Sequence, residues 1–240
     1  MKKILVSHIK VFLVGLGILF MSGCATTNSL DERDPWEGFN RGVYSFNQVM
    51  DDLIFNPVGS VYNAVTPEFV DTGITNFFSN VHQVSVVAND ILQFKLGQAL
   101  NDTMRFLFNS TVGLLGFFDV ASPTGLYSSD EDFGQTLAQW GFGSGPYVIV
   151  PFFGPSTVRG ATGIAVDSAL LNPIAYIDDD LTRASLLTLN YIDFKSDILS
   201  TADLIEEAAL DEYDFVKNAY FEKKASEMSD EDFKDFPVVE

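Results

Sequence analysis

Side chains that could carry out catalysis are few in this sequence, and their spacing does not match common catalytic or metal-binding patterns. His82 is the only histidine beyond the first ten residues, whereas nucleophilic triads and most transition-metal sites draw on His or Cys. Ser144 has a glycine on each side, which misses the G-x-S-x-G spacing of a nucleophile elbow. The acidic runs Asp130–Asp132 and Asp178–Asp180 do not follow the EF-hand pattern. We therefore expect no enzymatic activity, no metal and no cofactor.

The single cysteine, Cys24, is placed for covalent lipid attachment. Three lysines and the apolar run Val11–Met21, which is too short to span a membrane, are typical of an export signal. The motif Met21-Ser22-Gly23-Cys24 resembles the bacterial lipobox, with Met at the position where Leu is usual. We predict a lipoprotein signal peptide at residues 1–23 and a lipidated linker at residues 24–33. An ordinary signal peptide with a chance cysteine is the alternative.

Polar residues border an apolar stripe near the start of the chain. Asn40 and Asn47 each follow a phenylalanine and lie seven residues apart, which places both amides beside one face of a helix. Such amides often bond to the backbone of a neighbouring element, or they mark a polar track beside an apolar one. Arg41 suits phosphate binding through its bidentate guanidinium, and internal ion pairs with the abundant carboxylates are the other interpretation.

The charge balance restricts the partners of the chain. Removal of residues 1–23 leaves 11 of the 14 basic residues and all 33 acidic residues, so the formal charge becomes −22. Such a chain does not bind nucleic acid or anionic lipid surfaces by bulk electrostatics, and a basic protein is its expected charged partner. Since no linker-like stretch divides the sequence, we expect one domain.

The periodicity of apolar residues predicts a mainly helical chain with little or no sheet. The first helix is expected to open at Asp34-Pro35-Trp36-Glu37, with Asp34 as N-cap. Its apolar stripe consists of Trp36, Phe39, Val43, Phe46 and Met50. Further helices are predicted over residues 68–81, 84–92, 96–107, 109–121, 132–140, 155–167, 181–209 and 212–225. Residues 227–240 are expected to form a solvated acidic tail.

One segment, Gly145–Pro155 with the sequence GPYVIVPFFGP, combines apolar and aromatic residues with an internal Pro151. It cannot cross a bilayer as a helix, because a span needs roughly 20 apolar residues and an interior proline breaks the hydrogen-bond ladder. It must pack in a core or against something equally apolar. The segment Asn109–Ala121 is apolar nearly all round, which indicates a helix that is either buried or in contact with lipid.

Several long motifs carry a family resemblance. They are DPWEGFNRGVYSFN from Asp34, VANDILQFKLGQAL from Val87, RFLFNSTVGLLGFFDVA from Arg105, FGQTLAQWGFGSGPYVIVPFFGPSTVR from Phe133, and YFEKKA from Tyr220. Together they resemble the VacJ/MlaA family of outer-membrane lipoproteins over almost the whole mature chain. The departures, such as Val150 where Leu is common, remove none of the motifs.

The resemblance implies a non-enzymatic protein that maintains outer-membrane lipid asymmetry. Members form a helical ring or horseshoe with a central amphipathic channel in the inner leaflet of the outer membrane. They associate with porin trimers and pass phospholipid to a soluble periplasmic carrier, which here is expected to be basic. By this resemblance, residues 34–226 form a single lipid-channel domain. The protein would be lipid-anchored on the periplasmic side of the outer membrane of a Gram-negative bacterium, and would remove mislocalised phospholipids from the outer leaflet for retrograde transport.

A lipid route has to cover the acyl tails throughout. Exposing two chains of roughly 16 carbons to water costs on the order of 25 kcal/mol, at about 0.8 kcal/mol per methylene. We expect the lipid to enter head group first, past the amides of Asn40 and Asn47. The predicted channel residues are Phe39, Asn40, Arg41, Phe46, Asn47, Tyr147, Pro151, Phe152 and Phe153.

Two other functions remain as alternatives. A structural lipoprotein could brace porins or the envelope without carrying lipid, and its interior would contain no lipid route. A phospholipase would need a nucleophile and a base, and the sequence shows no such pair.

Overall fold

The chain folds mainly into α-helices, as the sequence predicts. The computed structural model describes residues 31–234, so the predicted signal peptide and Cys24 lie outside the described residues. The helices are α1 Glu37–Met50, α2 Asn56–Val65, α3 Glu68–Leu92, α4 Leu96–Thr111, α5 Phe133–Gln139, α6 Val158–Val166, α7 Asp180–Ala208 and α8 Glu212–Lys234. Short π-helical segments, Asp51–Phe55 and Asp167–Leu171, follow α1 and α6, and 3-10 turns cover Ser122–Thr124 and Pro173–Tyr176. The mainly helical class is confirmed.

The first helix begins later than its sequence predicts. Helix α1 starts at Glu37, and its N-cap, Trp36, makes no side-chain capping bond. The predicted cap, Asp34, is fully buried instead. Its carboxylate accepts hydrogen bonds from Asn40 Nδ2 (2.8 Å) and from the Tyr213 hydroxyl. The carboxylate therefore stabilises a tertiary contact with α8 rather than the start of α1.

The apolar Gly-Pro segment forms the described sheet, a single β-hairpin. Strand β1, Tyr147–Val150, pairs antiparallel with β2, Gly154–Thr157, and Ile149 lies opposite Pro155. The helix predicted from Pro155 is wrong at its start, since α6 begins at Val158. Thr157 caps α6 by accepting from the amide of Gly160 (3.2 Å). Proline has no amide hydrogen to donate. It is tolerated in β2 because both strands of a two-stranded sheet are edge strands, each with one side that has no strand partner.

The helix predicted over Asn109–Ala121 is also wrong. Helix α4 ends at Thr111, and the chain then turns with positive φ at Leu114, Leu115 and Gly116. A Cβ on Gly116 would lie 2.4 Å from Cβ of Asn80, so the turn needs a glycine to approach α3. The Asn109 side chain then accepts from the amides of residues 120 and 121 and closes the turn.

The remaining helix predictions hold with small changes. Helix α5 opens with a capping box between Asp132 and Gln135. Helices α7 and α8 start within one residue of their predicted positions. Helix α8 continues to Lys234, through the first part of the predicted acidic tail. Residues 235–240 lie outside the described part of the chain.

Two differently built interiors result. The hairpin core consists of Tyr147, Ile149 and Tyr213, with Val43, Tyr44, Tyr220 and Phe221 packed against it. The polar core lies where α3 packs against α4, the 128–131 loop and α5, and it consists of Gln83, Asn89, Asp90, Gln93, Asp102, Glu131 and Thr136. The side chains of the polar core bond to one another, for example Gln83 Nε2 to Asp102 (2.6 Å) and Thr136 Oγ1 to Asn89 (2.8 Å).

Candidate functional site

Asn40 on α1 is bonded to the middle of strand β1. Its Nδ2 donates to the carbonyl oxygen of Tyr147 (3.1 Å) and to Asp34 (2.8 Å), and its Oδ1 accepts from the amide of Ile149 (2.9 Å). The side chain has no exposed surface. It therefore fixes the hairpin to α1, and all its bonding capacity at Oδ1 and Nδ2 is directed inward.

Asn47, two turns further along α1, repeats this pattern at the hairpin turn. Its Nδ2 donates to the carbonyl oxygen of Val150 (3.2 Å), and its Oδ1 accepts from the amide of Phe152 (2.9 Å). Each asparagine thus binds one strand carbonyl and the amide two residues later. Of the two interpretations that the sequence allowed, the contacts match the one in which the amides bond to the backbone of a neighbouring element.

An aromatic cluster surrounds the hairpin turn. Phe152 has φ of +69°, an uncommon conformation for a bulky residue. Its ring meets Phe46 (5.6 Å between centroids) and Phe55 (6.3 Å) edge to face, and its carbonyl oxygen accepts from the Tyr191 hydroxyl (2.9 Å). Burial raises the pKa of Tyr191 to about 12, so this hydroxyl stays protonated and can donate. We call Phe46, Asn47, Phe55, Phe152 and Tyr191 the turn cluster.

The turn itself presents apolar surface. Phe152 is 39% exposed and Phe153 is 57% exposed, and Pro151 between β1 and Phe152 is also exposed. Phe46 is 41% exposed. Five of the nine predicted channel residues, Asn47 and these four apolar residues, therefore lie at one place, and the exposed rings can contact an apolar ligand.

Arg41 lies elsewhere and is already paired. Its guanidinium contacts Glu37 (2.8 Å), Asp211 (2.9 Å) and Asp214 (3.3 Å), and it lies over the Tyr213 ring (4.4 Å). The hydrogen bond with Asp211 is the main reason that the pKa of Arg41 is raised. The ion-pair interpretation matches these contacts, and a phosphate would have to compete with three carboxylates.

Tyr147 and Phe39 complete the predicted set. Tyr147 is fully buried in the hairpin core, where its ring lies 5.5–6.3 Å from those of Tyr213, Tyr220 and Phe221. Its hydroxyl has no hydrogen-bond partner. Phe39 is half-buried on α1. These two residues are separate from the exposed turn.

Sequence reasoning missed two residues that hold the site together and gave a third a different role. Phe55 lies in the π-helical segment, which shifts the 3.6-residue period by one position and hides it from the α1 stripe. Tyr191 acts over a long separation, at Phe152, and no local pattern marks it. Asp34 is predicted as the N-cap of the first helix, but its carboxylate accepts from the Tyr213 hydroxyl instead.

A cavity of about 460 Å³ lies where the start of α3 meets the turn after α4. It is lined by Glu68, Phe69, Thr72, Gly73, Asn76, Phe117, Phe118 and Asp119. Gly73 is required here, because a Cβ would lie 2.1 Å from the Phe117 ring. A second cavity of about 310 Å³ lies between α1 and the α7–α8 junction. Neither cavity includes a hairpin residue.

Helix α4 buries mainly polar side chains and exposes apolar ones, the inverse of a helix on the surface of a water-soluble protein. Its buried face carries Ala99, Asp102, Arg105 and Asn109. The opposite face and the turn after the helix expose large apolar residues, and we call them the outer apolar face: Leu96, Leu100, Met104, Leu107, Val112, Leu114 and Leu115. Over the described residues, 19 polar or charged side chains are buried but only 8 apolar ones. A protein surrounded only by water has the opposite pattern.

The described residues contain no group of three or more His, Cys, Asp or Glu side chains arranged to hold a metal ion. Within residues 31–234, no helix combines the length and the apolar character needed to cross a membrane.

Comparison with known proteins shows where the chain belongs. A family model described as MlaA lipoprotein matches residues 32–227. An uncharacterised protein of Rickettsia prowazekii (strain Madrid E) is 33% identical over 206 residues, covering 85% of this chain and 82% of the relative. The intermembrane phospholipid transport system lipoprotein MlaA of Escherichia coli (strain K12) is 32% identical over 216 residues, covering 88% and 85%.

A solved structure has the same fold. It comes from work described as "Structural basis for maintenance of bacterial outer membrane lipid asymmetry". The TM-score is 0.68 at 30% identity, covering 79% of this chain and 96% of that one.

Proposed function

Because the chain belongs to the MlaA lipoprotein family, we propose that it takes part in intermembrane phospholipid transport and so maintains the lipid asymmetry of the outer membrane. The relatives of Escherichia coli and Shigella flexneri are named for this transport system. The observation that best supports the proposal is the inversion on α4, where leucines face outward and Asp102, Arg105 and Asn109 face inward. An apolar exterior around a polar interior suits a protein that lies among lipids.

The outer apolar face is proposed to lie in the inner leaflet of the outer membrane. Burying each exposed leucine contributes roughly 1.5–3 kcal/mol, so a group of them gives strong association. The acyl anchor on Cys24 would hold the chain at the same membrane, on the periplasmic side of a Gram-negative bacterium. The two attachments together would keep the helices at the lipid–water boundary.

A lipid route is proposed to pass the hairpin turn, within a ring or horseshoe of helices that encloses an amphipathic channel. Phe46, Pro151, Phe152 and Phe153 offer accessible apolar surface there. Asn40 and Asn47 would act by holding this surface in place, since their amides are committed to the hairpin backbone. The route has to cover the acyl tails, because their exposure to water is very unfavourable.

The acidic surface near the α7–α8 junction is the proposed encounter site for a basic periplasmic carrier. Asp211, Glu212 and Asp214 lie together there, and Arg41 and Lys217 are the cations paired with them. Charge complementarity of this kind mainly accelerates and orients an encounter. Association with a porin trimer is the second proposed contact, and it follows from the family resemblance.

The test replaces both Phe152 and Phe153 by Asp and measures outer-leaflet phospholipid in cells together with protein export. We expect loss of lipid asymmetry with normal export and membrane localisation. The matched control is Leu170→Asp with Leu181→Asp, two exposed apolar residues outside the hairpin and outside the α7–α8 junction. Preserved asymmetry in the first double variant would show that the turn does not border the route.

A separate measurement distinguishes transport from a purely structural role. The purified protein is exchanged into fresh detergent, and its bound lipid is extracted and identified by mass spectrometry. Stoichiometric glycerophospholipid beyond the covalent anchor is expected of a transporter. Its absence would favour a lipoprotein that braces the envelope without carrying lipid.

A further inference from the structure

One hydroxyl in the polar core faces two carboxyl groups. Ser129 Oγ lies 2.7 Å from Asp102 Oδ2 and 3.3 Å from Asp90 Oδ1. Asp90 belongs to α3, Asp102 to α4, and Ser129 to the loop that precedes α5. A serine hydroxyl has one proton and can donate it to only one of these oxygens. The other carboxyl group must be satisfied in a different way.

Neither carboxyl group reaches solvent. Asp90 and Asp102 both have 0% exposure. Asp102 has a donor at each oxygen, Gln83 Nε2 (2.6 Å) and Ser129 Oγ. Asp90 Oδ2, in contrast, is buried and has no donor. A buried carboxylate oxygen without a donor carries a large desolvation cost, which its protonation removes.

The charges around the pair do not neutralise it. Glu131, from the same loop as Ser129, is 2% exposed and adds a third carboxylate that repels Asp90. It accepts from Lys95 Nζ (2.7 Å) and from Gln93. Lys95 thus forms an ion pair with Glu131.

Other ionisable groups on the neighbouring elements have their own contacts. Arg105, one turn after Asp102 on α4, is paired with Asp119 (2.9 Å). Asp167, in the π-helical segment after α6, accepts from Ser85, Asn89 and the amide of residue 133. Asp132 caps α5. None of these contacts brings a positive charge to Asp90.

We propose that Asp90 and Asp102 form a proton-binding site, in which Asp90 carries one proton at weakly acidic pH and donates it from Oδ2 to Asp102. Both carboxyl groups contact the same Ser129 hydroxyl and are therefore neighbours, and two carboxyl groups can hydrogen-bond to each other only if one is protonated. The proton thus explains the oxygen without a donor. It joins α3, α4 and the 128–131 loop through one hydrogen-bonded group. This proposal does not depend on phospholipid transport.

The direction of the pH effect follows from the pKa of Asp90. Burial, and then the neighbouring Asp102, raise this pKa from 3.8 to about 7. The folded protein therefore binds more protons than the unfolded chain between about pH 4 and pH 7. The stabilisation is fully present below about pH 4 and is lost as the pH rises through about 7.

The experiment uses Asp90→Asn in the full-length protein in detergent. An amide at position 90 donates permanently to Asp102 and carries no charge, so it mimics the protonated acid. Asp178→Asn, at an exposed position, is the matched control. All variants also carry His82→Gln, because histidine side chains as a class titrate in the same pH range. The midpoint of thermal unfolding is measured from about pH 5 to about pH 8.5.

The parent is the protein that carries His82→Gln alone. We expect the thermal unfolding midpoint of Asp90→Asn to rise relative to that of the parent as the pH increases, by at least about 2–4 °C over the measured pH range. Asp178→Asn should show no such pH-dependent difference. The difference between variants is the informative quantity, because burial also raises the pKa values of Asp193 and Asp197. A constant difference between Asp90→Asn and its parent at all pH values would overturn the proposal.

Infrared spectroscopy detects the same proton directly. At about pH 6 the parent should show the carbonyl stretch of a protonated carboxylic acid, whose intensity falls as the pH rises through about 7. This band should be weaker in Asp90→Asn and unchanged in Asp178→Asn, and the difference is the informative quantity because Asp193 and Asp197 can contribute to the band in every variant. Absence of the band from the parent would overturn the proposal. So would a chelator that lowers the unfolding midpoint of the parent but not of Asp90→Asn, since a cation would then occupy the site.

Discussion

The hairpin core and the polar core bury opposite kinds of side chain. Tyr147, Ile149 and Tyr213 fill the first, and three aromatic rings from α8 enclose Tyr147. In the second, carboxylates, amides and hydroxyls face one another, and the leucines of α4 point outward. The hairpin core is stabilised by removing apolar surface from water. The side chains of the polar core remove little apolar surface from water. Their stability therefore depends on satisfied hydrogen bonds and on what covers the outer apolar face.

This difference indicates that one chain is adapted to two surroundings. The part with α1, the hairpin and α8 has an aromatic interior and exposes apolar surface at the hairpin turn. The part with α3 and α4 is built for contact with apolar material on its outside. Loss of polar contacts should therefore be most costly between α3 and α4, and loss of outward leucines should affect association with membranes rather than folding.

The largest expected effect is on the buried ion pair at Arg105. Its guanidinium donates to Asp119 (2.9 Å), Ser122 (2.7 Å) and the carbonyl oxygen of Leu126 (2.8 Å). Arg105→Met leaves a partly buried carboxylate without its cation and removes two further hydrogen bonds, and we expect a loss of about 3–5 kcal/mol in the free energy of unfolding. Denaturant titration in detergent measures it. Arg183→Met, at a surface pair with Asp180, should cost less than about 1 kcal/mol.

The same variant should change the acid sensitivity of the protein. Burial raises the pKa of Asp119, but hydrogen bonds from Ser122, Arg105 and Asn109 outweigh it and hold this pKa well below its usual range. The folded state then binds fewer protons, so stabilisation is present above about pH 4 and is lost as the pH falls. Arg105→Met should weaken this acid dependence. If the unfolding free energy of Arg105→Met fell with decreasing pH as steeply as that of the unsubstituted protein, Arg105 would not set the charge state of Asp119.

The two asparagines of α1 give the next largest effect, and they should differ from each other. Asn40→Leu leaves the buried carbonyl of Tyr147 and the buried amide of Ile149 without partners, at about 1–3 kcal/mol each. Asn47→Leu frees groups at the exposed turn, which water can satisfy, so about 0.5–1.5 kcal/mol is expected. Unfolding free energies of both variants test this. Equal losses would mean that the turn is as well protected as the strand.

Much of this architecture could be predicted from the sequence, and the failures have physical causes. Helix periodicity placed α3 and α4, because each has a sustained apolar stripe. Helices α7 and α8 were also placed correctly, although their apolar residues are not confined to one face. Periodicity does not say which side of a helix faces the interior, so the inversion on α4 was not foreseen. The turn after α4 depends on Gly116 meeting Asn80, a contact between residues 36 positions apart.

The candidate site was predicted only in part, because local motifs point to the turn but do not show which distant residues the fold brings to it. The motif around Phe152 directed attention to the hairpin turn, where Phe46 and Asn47 also lie. Arg41 and Tyr147 were grouped with them by sequence proximity, but the fold directs Arg41 to three carboxylates and Tyr147 into the hairpin core. Pairing over long separations, as between Tyr191 and Phe152, leaves no local signal.

A smaller effect is expected at the outer apolar face. Leu100 is 66% exposed, and Leu100→Gln should weaken membrane binding by roughly 1.5–3 kcal/mol with little change in unfolding free energy. Liposome flotation measures binding, with Cys24→Ser in every variant so that the acyl anchor does not contribute. Leu210→Gln, a fully exposed residue at the α7–α8 junction, should bind as well as its parent. Equal weakening by both would contradict the distinction between the two regions.

The smallest effect is expected for Tyr147, whose polar hydroxyl lies inside an otherwise aromatic core. The Tyr147 hydroxyl is a polar group inside the aromatic hairpin core, fully buried and without a hydrogen-bond partner. Burial raises the pKa of Tyr147, so the neutral hydroxyl bears this cost. Tyr147→Phe should therefore leave the unfolding free energy unchanged or increase it by about 1 kcal/mol. Tyr213→Phe should do the reverse, because its hydroxyl donates to the buried Asp34 carboxylate, a bond worth roughly 1.5–3 kcal/mol. If denaturant titration gave equal losses for both, the hydroxyl of Tyr147 would have a partner, and the hairpin core would be less different from the polar core than these contacts indicate.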